Sequence, residues 1–571
     1  MKLVLTEYIA ALKEDQELDQ FTVNLLRELD IIPLTTPQRG RQYGVDIAAV
    51  GPDFDKHPQI QTLFLVSVKQ GDITRTTWNN GVNSVRNSLD EIKDFYLDAL
   101  VPDIYKYLPK KIIVLSNGSI EQNVNSLWTG YTKKNSGPGT SYEFWGIDKL
   151  VLLAERAQFA ESLFPKDVQS LLRKALALLD LPEYDYRHFY SLLEKLFEKI
   201  PANKKDTIKR LRLVNSCLSI AFYWAEGYNN VKPAIIVAER VLLNGWNWLS
   251  KTEYYNDPEI IIEYLALLQT KTQIDLKFFL KVKNAYLVQD GLAFTGRLEH
   301  NEYCLLTYEQ IGIMSTIGLT KLWYAELQSV VEGELIESLQ NQFGDAEMIA
   351  DLLGLMINNN PSSLYPKFDE HCIEINLAMI LLYETGRYES AVKWLGGLIN
   401  YLSLNYSLLG FFPLWITDYE RLSQPSSPSE KHEPDSSMLI TILAEWCMIL
   451  KQEDMYHNLR YIANDLIKNT NLQLWKPDKE TENIFYTRNA MHDSGESKVS
   501  IILHKNPREY LMEMTEERSM WSDESELSFF KQGMAFNGYF AFRHFRTYVF
   551  PFFWRRLLNS PFCFNTPDSA Q

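Results

Sequence analysis

The chain has 571 residues, of which 46% are hydrophobic and 23% are charged. This composition is ordinary for folded globular proteins and excludes large-scale disorder, and the length predicts about two to four domains. The formal net charge of -16 excludes a diffuse attraction to nucleic acid, so any nucleic-acid site needs a local basic surface.

The five cysteines and nine histidines form no CxxC pair and no mixed cluster. We therefore expect neither a zinc site nor a disulfide framework, and a reducing, cytoplasmic setting. The first residues lack the apolar core of a signal peptide. The apolar stretch 534–558 contains Arg543, His544 and Arg546, which are costly inside a bilayer, so we expect an aromatic core segment and no membrane partner.

The N-terminal elements alternate between helix and strand. Apolar residues recur at helical spacing over residues 4–29, and Pro33 ends that helix. Apolar and β-branched runs then predict four strands, at residues 45–50, 62–69, 111–116 and 142–147. We expect a hairpin loop over 51–61, a helix over 78–97, and a last helix capped by Asp148.

Two side chains on the first pair of strands have complementary chemistry. Asp46 lies on the first strand, and Lys69 lies near the end of its neighbour. Adjacent strands are about 4.8 Å apart, so side chains on one face can reach a common metal ion and phosphate. Phosphodiester hydrolysis needs a carboxylate-bound divalent ion, and it benefits from a lysine beside the phosphate. Each residue alone is typical of a turn or a solvated surface, and the two together supply the minimum that a hydrolytic site needs.

Four segments in this order resemble the PD-(D/E)xK nuclease superfamily, in particular Mrr-like restriction endonucleases: GVDIAAV, LFLVSVKQ, KIIVLSNG and FWGIDKLVLL. The resemblance covers residues 1–165. It implies a restriction-endonuclease-like α/β domain, with a mixed central sheet flanked by helices, that cleaves DNA with Mg²⁺ or Mn²⁺. It also implies that Asp46 ligates the metal ion and that Lys69 stabilises the phosphate or the attacking water.

The sequence departs from the superfamily two residues before the lysine, where most members carry an acid and Mrr-like members often carry glutamine. Ser67 stands there, and its hydroxyl is a weak metal ligand. This departure leaves three alternatives. Another acidic residue completes the metal site, the Gln70 amide helps to bind the metal ion, or the site is degenerate. The candidate acids are Glu7, Glu28 and Asp72. We favour Glu28 as the third catalytic residue and as a metal ligand beside Asp46 and Ser67, because its helix leads directly into the GVD strand.

Basic and polar residues flank this site in sequence. Arginines and small polar side chains are the usual phosphate contacts of DNA-binding proteins. The residues that we expect to contact DNA are Arg39, Arg41, Gln70 and Arg75. Polar loops share this composition without binding nucleic acid, so a solvated loop is the alternative.

Helix-period apolar residues continue for the rest of the chain. Residues 171–181 and 190–200 predict amphipathic helices, and three stretches predict helix–turn–helix pairs: 221–243, 377–399 and 442–467. These pairs resemble tetratricopeptide-type hairpins loosely, since no fixed period of about 34 residues connects them. Their aromatic residues are expected in the core, with a concave partner surface as the alternative. A polar stretch at 421–437 separates the last two of three expected domains: 1–165, 166–420 and 438–571.

We therefore expect an α+β multidomain protein in which a restriction-endonuclease-like α/β domain precedes a large, mainly α-helical array. The expected function is Mg²⁺-dependent DNA cleavage, with the helical region sensing a trigger, binding a protein partner or self-associating. This layout resembles bacterial anti-phage defence effectors. No glycine-rich loop ending in Lys-Ser/Thr indicates an ATPase. Two alternatives stay open: a non-catalytic nuclease fold that binds nucleic acid or protein, and an RNA-directed nuclease.

Overall fold

The computed structural model describes residues 6, 9–10, 12, 18–35, 43–53, 57–81, 83–154, 166–177, 179, 181, 184–201, 203–295, 299–329, 336–415, 419–422, 431, 433–478, 480–486, 495–498, 501–519 and 527–559. Backbone contacts divide the chain into two compact units. The first unit is Met1–Lys195 with Ser219–Asn230, and the second is Leu196–Leu218 with Val231–Gln571. Residues 166–195, which we assigned to the helical domain, thus group with the first unit.

A five-stranded mixed sheet forms the centre of the first unit. Its strands, in spatial order, are β1 (Ile32–Pro33), β2 (Ile47–Asp53), β3 (His57–Lys69), β4 (Lys110–Ser116) and β5 (Thr140–Trp145). The pairs β1–β2 and β2–β3 are antiparallel, whereas β3–β4 and β4–β5 are parallel. The four predicted strands are confirmed. The short strand β1 was not predicted, because Pro33 indicates only the end of a helix.

The β2–β3 hairpin is longer than the sequence predicted. Residues 51–53 and 57–61 continue the two strands into the region that we expected to be a loop. The pairing shifts register between Pro52 and Asp53. Since proline lacks the N–H that a ladder requires, it is tolerated at such an irregularity. The prediction of a loop over 51–61 is therefore wrong at both ends.

Helices cover both faces of this sheet. The helices of the described chain up to residue 197 are α1 (Asp19–Glu28), α2 (Arg75–Asn79), α3 (Val85–Glu91), α4 (Gln122–Asn135), α5 (Ile147–Ala154), α6 (Lys166–Ala177) and α7 (Arg187–Phe197). Helices α1 and α5 pack on the face that carries Phe64 and Val66. Helices α2, α3 and α4 pack on the face that carries Leu63 and Leu65. Because both faces of β3 are buried, its sequence is almost continuously apolar.

The helix predicted over 78–97 is interrupted. A capping box begins α2: the Thr77 N–H donates to Thr74 Oγ1 at 3.2 Å, and the Thr74 N–H donates to Thr77 Oγ1 at 2.7 Å. Gly81, with φ +94°, then lies between α2 and α3 in a conformation that favours glycine. After α3 the chain continues through a π-helical turn, Ile92–Tyr96, into Leu97–Ala99. The prediction of one unbroken helix is therefore wrong.

The remainder of the described chain is mainly helical. Its helices are α8 (Lys204–Gly227), α9 (Lys232–Leu249), α10 (Pro258–Tyr286), α11 (His300–Ser329), α12 (Ile336–Asn359), α13 (Cys372–Glu384), α14 (Tyr388–Leu409), α15 (Tyr419–Leu422), α16 (Leu439–Ile449), α17 (Glu453–Tyr461), α18 (Thr481–Phe485), α19 (Pro507–Ser519), α20 (Ser528–Lys531), α21 (Phe536–Phe545) and α22 (Phe552–Arg555). Two short strand pairs accompany them: β6 (Ser436–Ser437) with β7 (Asn471–Leu472), and β8 (Trp475–Lys476) with β9 (Glu496–Ser497).

The three predicted helix–turn–helix pairs are confirmed as α8–α9, α13–α14 and α16–α17. Each turn contains one residue with positive φ: Asn229 at +56°, Gly386 at +75° and Lys451 at +57°. Such residues end a helix. The stretch 534–558 forms α21 and α22, and many of its aromatic side chains are buried, as expected. Within the described residues, no helix is long and apolar enough to cross a membrane.

Candidate active site

Asp46, the first candidate metal ligand, lies immediately before β2 and contacts β3. Its N–H donates to the Val66 carbonyl at 2.9 Å. Its carboxylate Oδ2 accepts from the Val68 N–H at 2.7 Å and lies 3.5 Å from the Ser67 hydroxyl oxygen. The backbone of β3 therefore fixes the position of this half-buried carboxylate.

Ser67 and Lys69 project from the same side of β3, because side chains alternate along a strand. Leu63 and Leu65 precede them in that alternation and pack under α2 and α3. Ser67 is 1% exposed, whereas Lys69 is half-buried. Among the residues that the structure describes, Lys69 has no ion pair and no side-chain hydrogen bond. The structure thus brings the Asp46 carboxylate to the strand that carries a lysine available for another anion.

Asn117, which follows β4, connects the segments around this end of the sheet. Its Oδ1 accepts from the Gly71 N–H at 2.8 Å, and its Nδ2 donates to the carbonyls of Leu12 at 2.6 Å and Ile9 at 3.1 Å. Asn117 is 4% exposed. The sequence analysis did not identify this role of Asn117. The available signal was a carboxamide directly after a buried strand.

The next residue, Gly118, permits a close backbone approach. A Cβ atom on Gly118 would lie 2.3 Å from the carbonyl carbon of Gly71, nearer than side chains tolerate. Asp72 is also occupied in this loop, because its Oδ1 accepts from both the N–H and the hydroxyl of Ser119, at 2.8 and 3.0 Å. Asp72 therefore stabilises the loop after β3.

Glu28, the expected third catalytic residue, lies at the C-terminal end of α1. The chain that follows it packs against the far end of β2: Ile32 pairs with Val50, and a Cβ atom on Gly51 would lie 2.6 Å from the Ile31 Cα. Asp46 is five residues from Gly51, or about 16 Å along an extended strand. The segment that follows Glu28 therefore meets β2 at the end distant from Asp46, and the role of Glu28 stays a prediction. Glu7 lies outside the described residues, although Ile9 and Leu12 adjoin Asn117 at the end of the sheet near Lys69.

Two of the four residues that we expect to contact DNA lie among the described residues. Arg39 and Arg41 lie outside the described residues. Gln70 is exposed directly after β3, and Arg75 is exposed on α2, six residues after Lys69. Gln70 and Arg75 are therefore exposed side chains in the segment that directly follows Lys69.

The donor set for a metal ion is small. Within the described residues, no group of three or more His, Cys, Asp or Glu side chains could hold a metal ion. Asp46 supplies a carboxylate and Ser67 a weak hydroxyl ligand. Mg²⁺ retains several waters and is commonly bound by one or two carboxylates together with substrate phosphates. These residues therefore fit an ion that is shared with the substrate, and they do not fit a closed structural metal site.

No protein-family model, curated protein or solved structure matches the chain.

Proposed function

We propose that the first unit is a metal-dependent DNA endonuclease whose site contains Asp46, Ser67 and Lys69. The observation that supports this most strongly is the contact between the Asp46 carboxylate and the Val68 N–H, one residue before Lys69. It holds a carboxylate against the strand that carries an ammonium group without a partner among the described residues. Opposite charges placed in this way favour binding of a phosphate together with a cation.

Each residue has a distinct role in the proposed reaction. Asp46 would hold a Mg²⁺ or Mn²⁺ ion with help from Ser67, and such an ion, when bound, neutralises phosphate charge and acidifies a water molecule. Lys69 would pair with a phosphate oxygen and stabilise the charge that develops there. The Val68 N–H keeps Asp46 in one orientation, so little reorganisation is needed. Gln70 and Arg75 would contact the flanking backbone of the nucleic acid.

Cleavage of plasmid DNA by matched variants tests this proposal. We expect the wild-type protein to cut DNA with Mg²⁺ or Mn²⁺, and Asp46→Asn and Lys69→Met each to lower the rate at least about 100-fold. Lys133→Met is the control, because Lys133 is an exposed lysine of the same unit on α4. Equal cleavage by the wild type, Asp46→Asn and Lys69→Met would reject this site as the source of the activity.

A second candidate function is binding without catalysis. Two observations favour this function. Ser67 occupies the position at which PD-(D/E)xK nucleases usually carry an acid, and the described residues contain no group of three or more His, Cys, Asp or Glu side chains that could hold a metal ion. A binding module should retain nucleic-acid affinity and should show no stabilisation by millimolar Mg²⁺ or Mn²⁺. Comparison of DNA, ribosomal RNA and transfer RNA as substrates would separate DNA cleavage from RNA cleavage.

The proposed biological role is defence against foreign DNA. The second unit would restrain the nuclease, and it would do so by sensing a trigger, by binding a protein partner or by self-association. Exposed apolar side chains support an interaction surface on α10. Leu276 and Leu280, one helical turn apart, are 55% and 47% exposed. Light scattering of the wild type and of the Leu276→Glu/Leu280→Glu variant would show whether this surface mediates self-association.

A further inference from the structure

A cavity of about 220 Å³ lies within the second unit, beside the start of α11 and the end of α14. Its lining includes one cationic side chain, Lys367, and the rings of Tyr365 and Phe411. The carboxamides of Asn301 and Asn405 and the imidazole of His300 also line it. The cavity thus combines aromatic surface, hydrogen-bonding groups and a positive charge.

Lys367 is 7% exposed and has no counter-ion among the described residues. Its Nζ lies 5.3 Å from the centroid of the Phe411 ring and 5.9 Å from that of Tyr365. The Cys304 thiol and the His300 imidazole lie near it. Burial raises the pKa of the Cys304 thiol to about 11, and burial, together with Lys367, lowers the pKa of His300. Neither group supplies a negative charge at neutral pH.

The backbone around Lys367 holds the side chain at this place. The Lys367 N–H donates to His371 Nδ1 at 3.1 Å, and its carbonyl accepts from the Leu414 N–H at 3.0 Å. A buried charge that is not paired is costly, because its lost hydration is not replaced. Burial accordingly lowers the pKa of Lys367, which an anion in the cavity would raise again.

We propose that this cavity binds a small organic anion with a flat, apolar part. A carboxylate or phosphate group would pair with Lys367, and the flat part would lie against Phe411 and Tyr365. Asn301 donates from Nδ2 to the Leu422 carbonyl at 3.1 Å, and its carboxamide is one of the polar groups that line the cavity. The site lies in the second unit and is independent of the proposed nuclease site.

Calorimetric titration of the full-length protein at constant ionic strength tests this inference. The probes are benzoate, adenosine monophosphate and inorganic phosphate, with benzamide and adenosine as neutral analogues. We expect at least one ring-bearing anion to bind, its neutral analogue to bind at least about tenfold more weakly, and inorganic phosphate to bind weakly. Benzoate and adenosine monophosphate distinguish a carboxylate ligand from a phosphate ligand.

The variant Lys367→Met should weaken binding of that anion at least about tenfold, while Lys393→Met, which removes an exposed lysine from α14, should leave it unchanged. The urea midpoint of ligand-free Lys367→Met should equal or exceed that of the wild type, because the variant removes an unpaired buried charge. Absence of binding by both ring-bearing anions, equal affinity in Lys367→Met, or equal binding of the neutral analogues would overturn the proposal. A lowered urea midpoint would also overturn it, because it would assign Lys367 a purely structural role.

Discussion

Substitution of Asn117 should loosen two segments at the proposed active site. Asn117→Ala removes the hydrogen bonds to the Gly71 N–H and to the carbonyls of Ile9 and Leu12, at 2.8, 3.1 and 2.6 Å. At about 1 kcal/mol for each bond, the local stability should fall by about 3 kcal/mol. This loss corresponds to about 100-fold faster hydrogen exchange at the affected amides.

The variant Asn117→Asp provides a matched comparison. It keeps an acceptor for the Gly71 N–H but cannot donate to the Leu12 and Ile9 carbonyls. The Gly71 amide should therefore remain protected in Asn117→Asp, whereas the Leu12 amide, which bonds to the Ile9 carbonyl at 3.2 Å, should exchange faster in both variants. Hydrogen exchange measured by mass spectrometry with peptide resolution reports both sites. Wild-type exchange at both amides in Asn117→Ala would refute the bridging role of this side chain.

Three further predictions concern stability in urea. Gly118→Ala should destabilise the first unit by about 2 kcal/mol or more, because the new Cβ atom would meet the backbone of Gly71. Gly130→Ala, on an open face of α4, should stabilise the unit by about 0.5–1 kcal/mol. Equal effects of the two substitutions would contradict this prediction. Glu445→Gln should cost about 1.5–3 kcal/mol, because it removes the charged partner of the Arg555 Nε–H at 2.8 Å and leaves the buried guanidinium with the ion pair to Glu517 at 3.1 Å; an unchanged urea midpoint would contradict this. Burial raises the pKa of Asp369 to about 7, so the folded protein keeps this carboxyl group protonated over a range in which the unfolded chain has lost the proton. The free energy of unfolding should therefore fall as the pH rises from about 4 to about 7. Asp369→Asn should remove that part of the pH dependence.

Strands β2 to β5 were predictable because each is a run of apolar and β-branched residues long enough to identify by itself. Strand β3 is buried on both faces, and its sequence TLFLVSVK shows this directly. The extent of the β2–β3 hairpin was not predictable, because Pro52 indicates a turn. Pro52 is tolerated in the strand because the pairing with β3 shifts register there, and the local sequence around Pro52 contains no information on that pairing.

The proposed site was predictable in part for a similar reason. Asp46 and Lys69 belong to one hairpin, so strand pairing alone brings their segments together. The position of Glu28 depends instead on how α1 lies across the sheet, and the chain after α1 enters β1 beside Val50, at the end of β2 distant from Asp46. Asn117 acts through contacts about 105 residues apart in sequence, which no local pattern reveals.

The central claim is that Asp46 holds a metal ion while Lys69 stabilises the phosphate. Single-turnover DNA cleavage, followed as a function of Mg²⁺ concentration, tests these two roles together. Asp46→Asn should raise the Mg²⁺ concentration that gives the half-maximal rate, and Lys69→Met should lower the maximal rate without changing that concentration. Wild-type rates with wild-type Mg²⁺ dependence in both variants would contradict the claim.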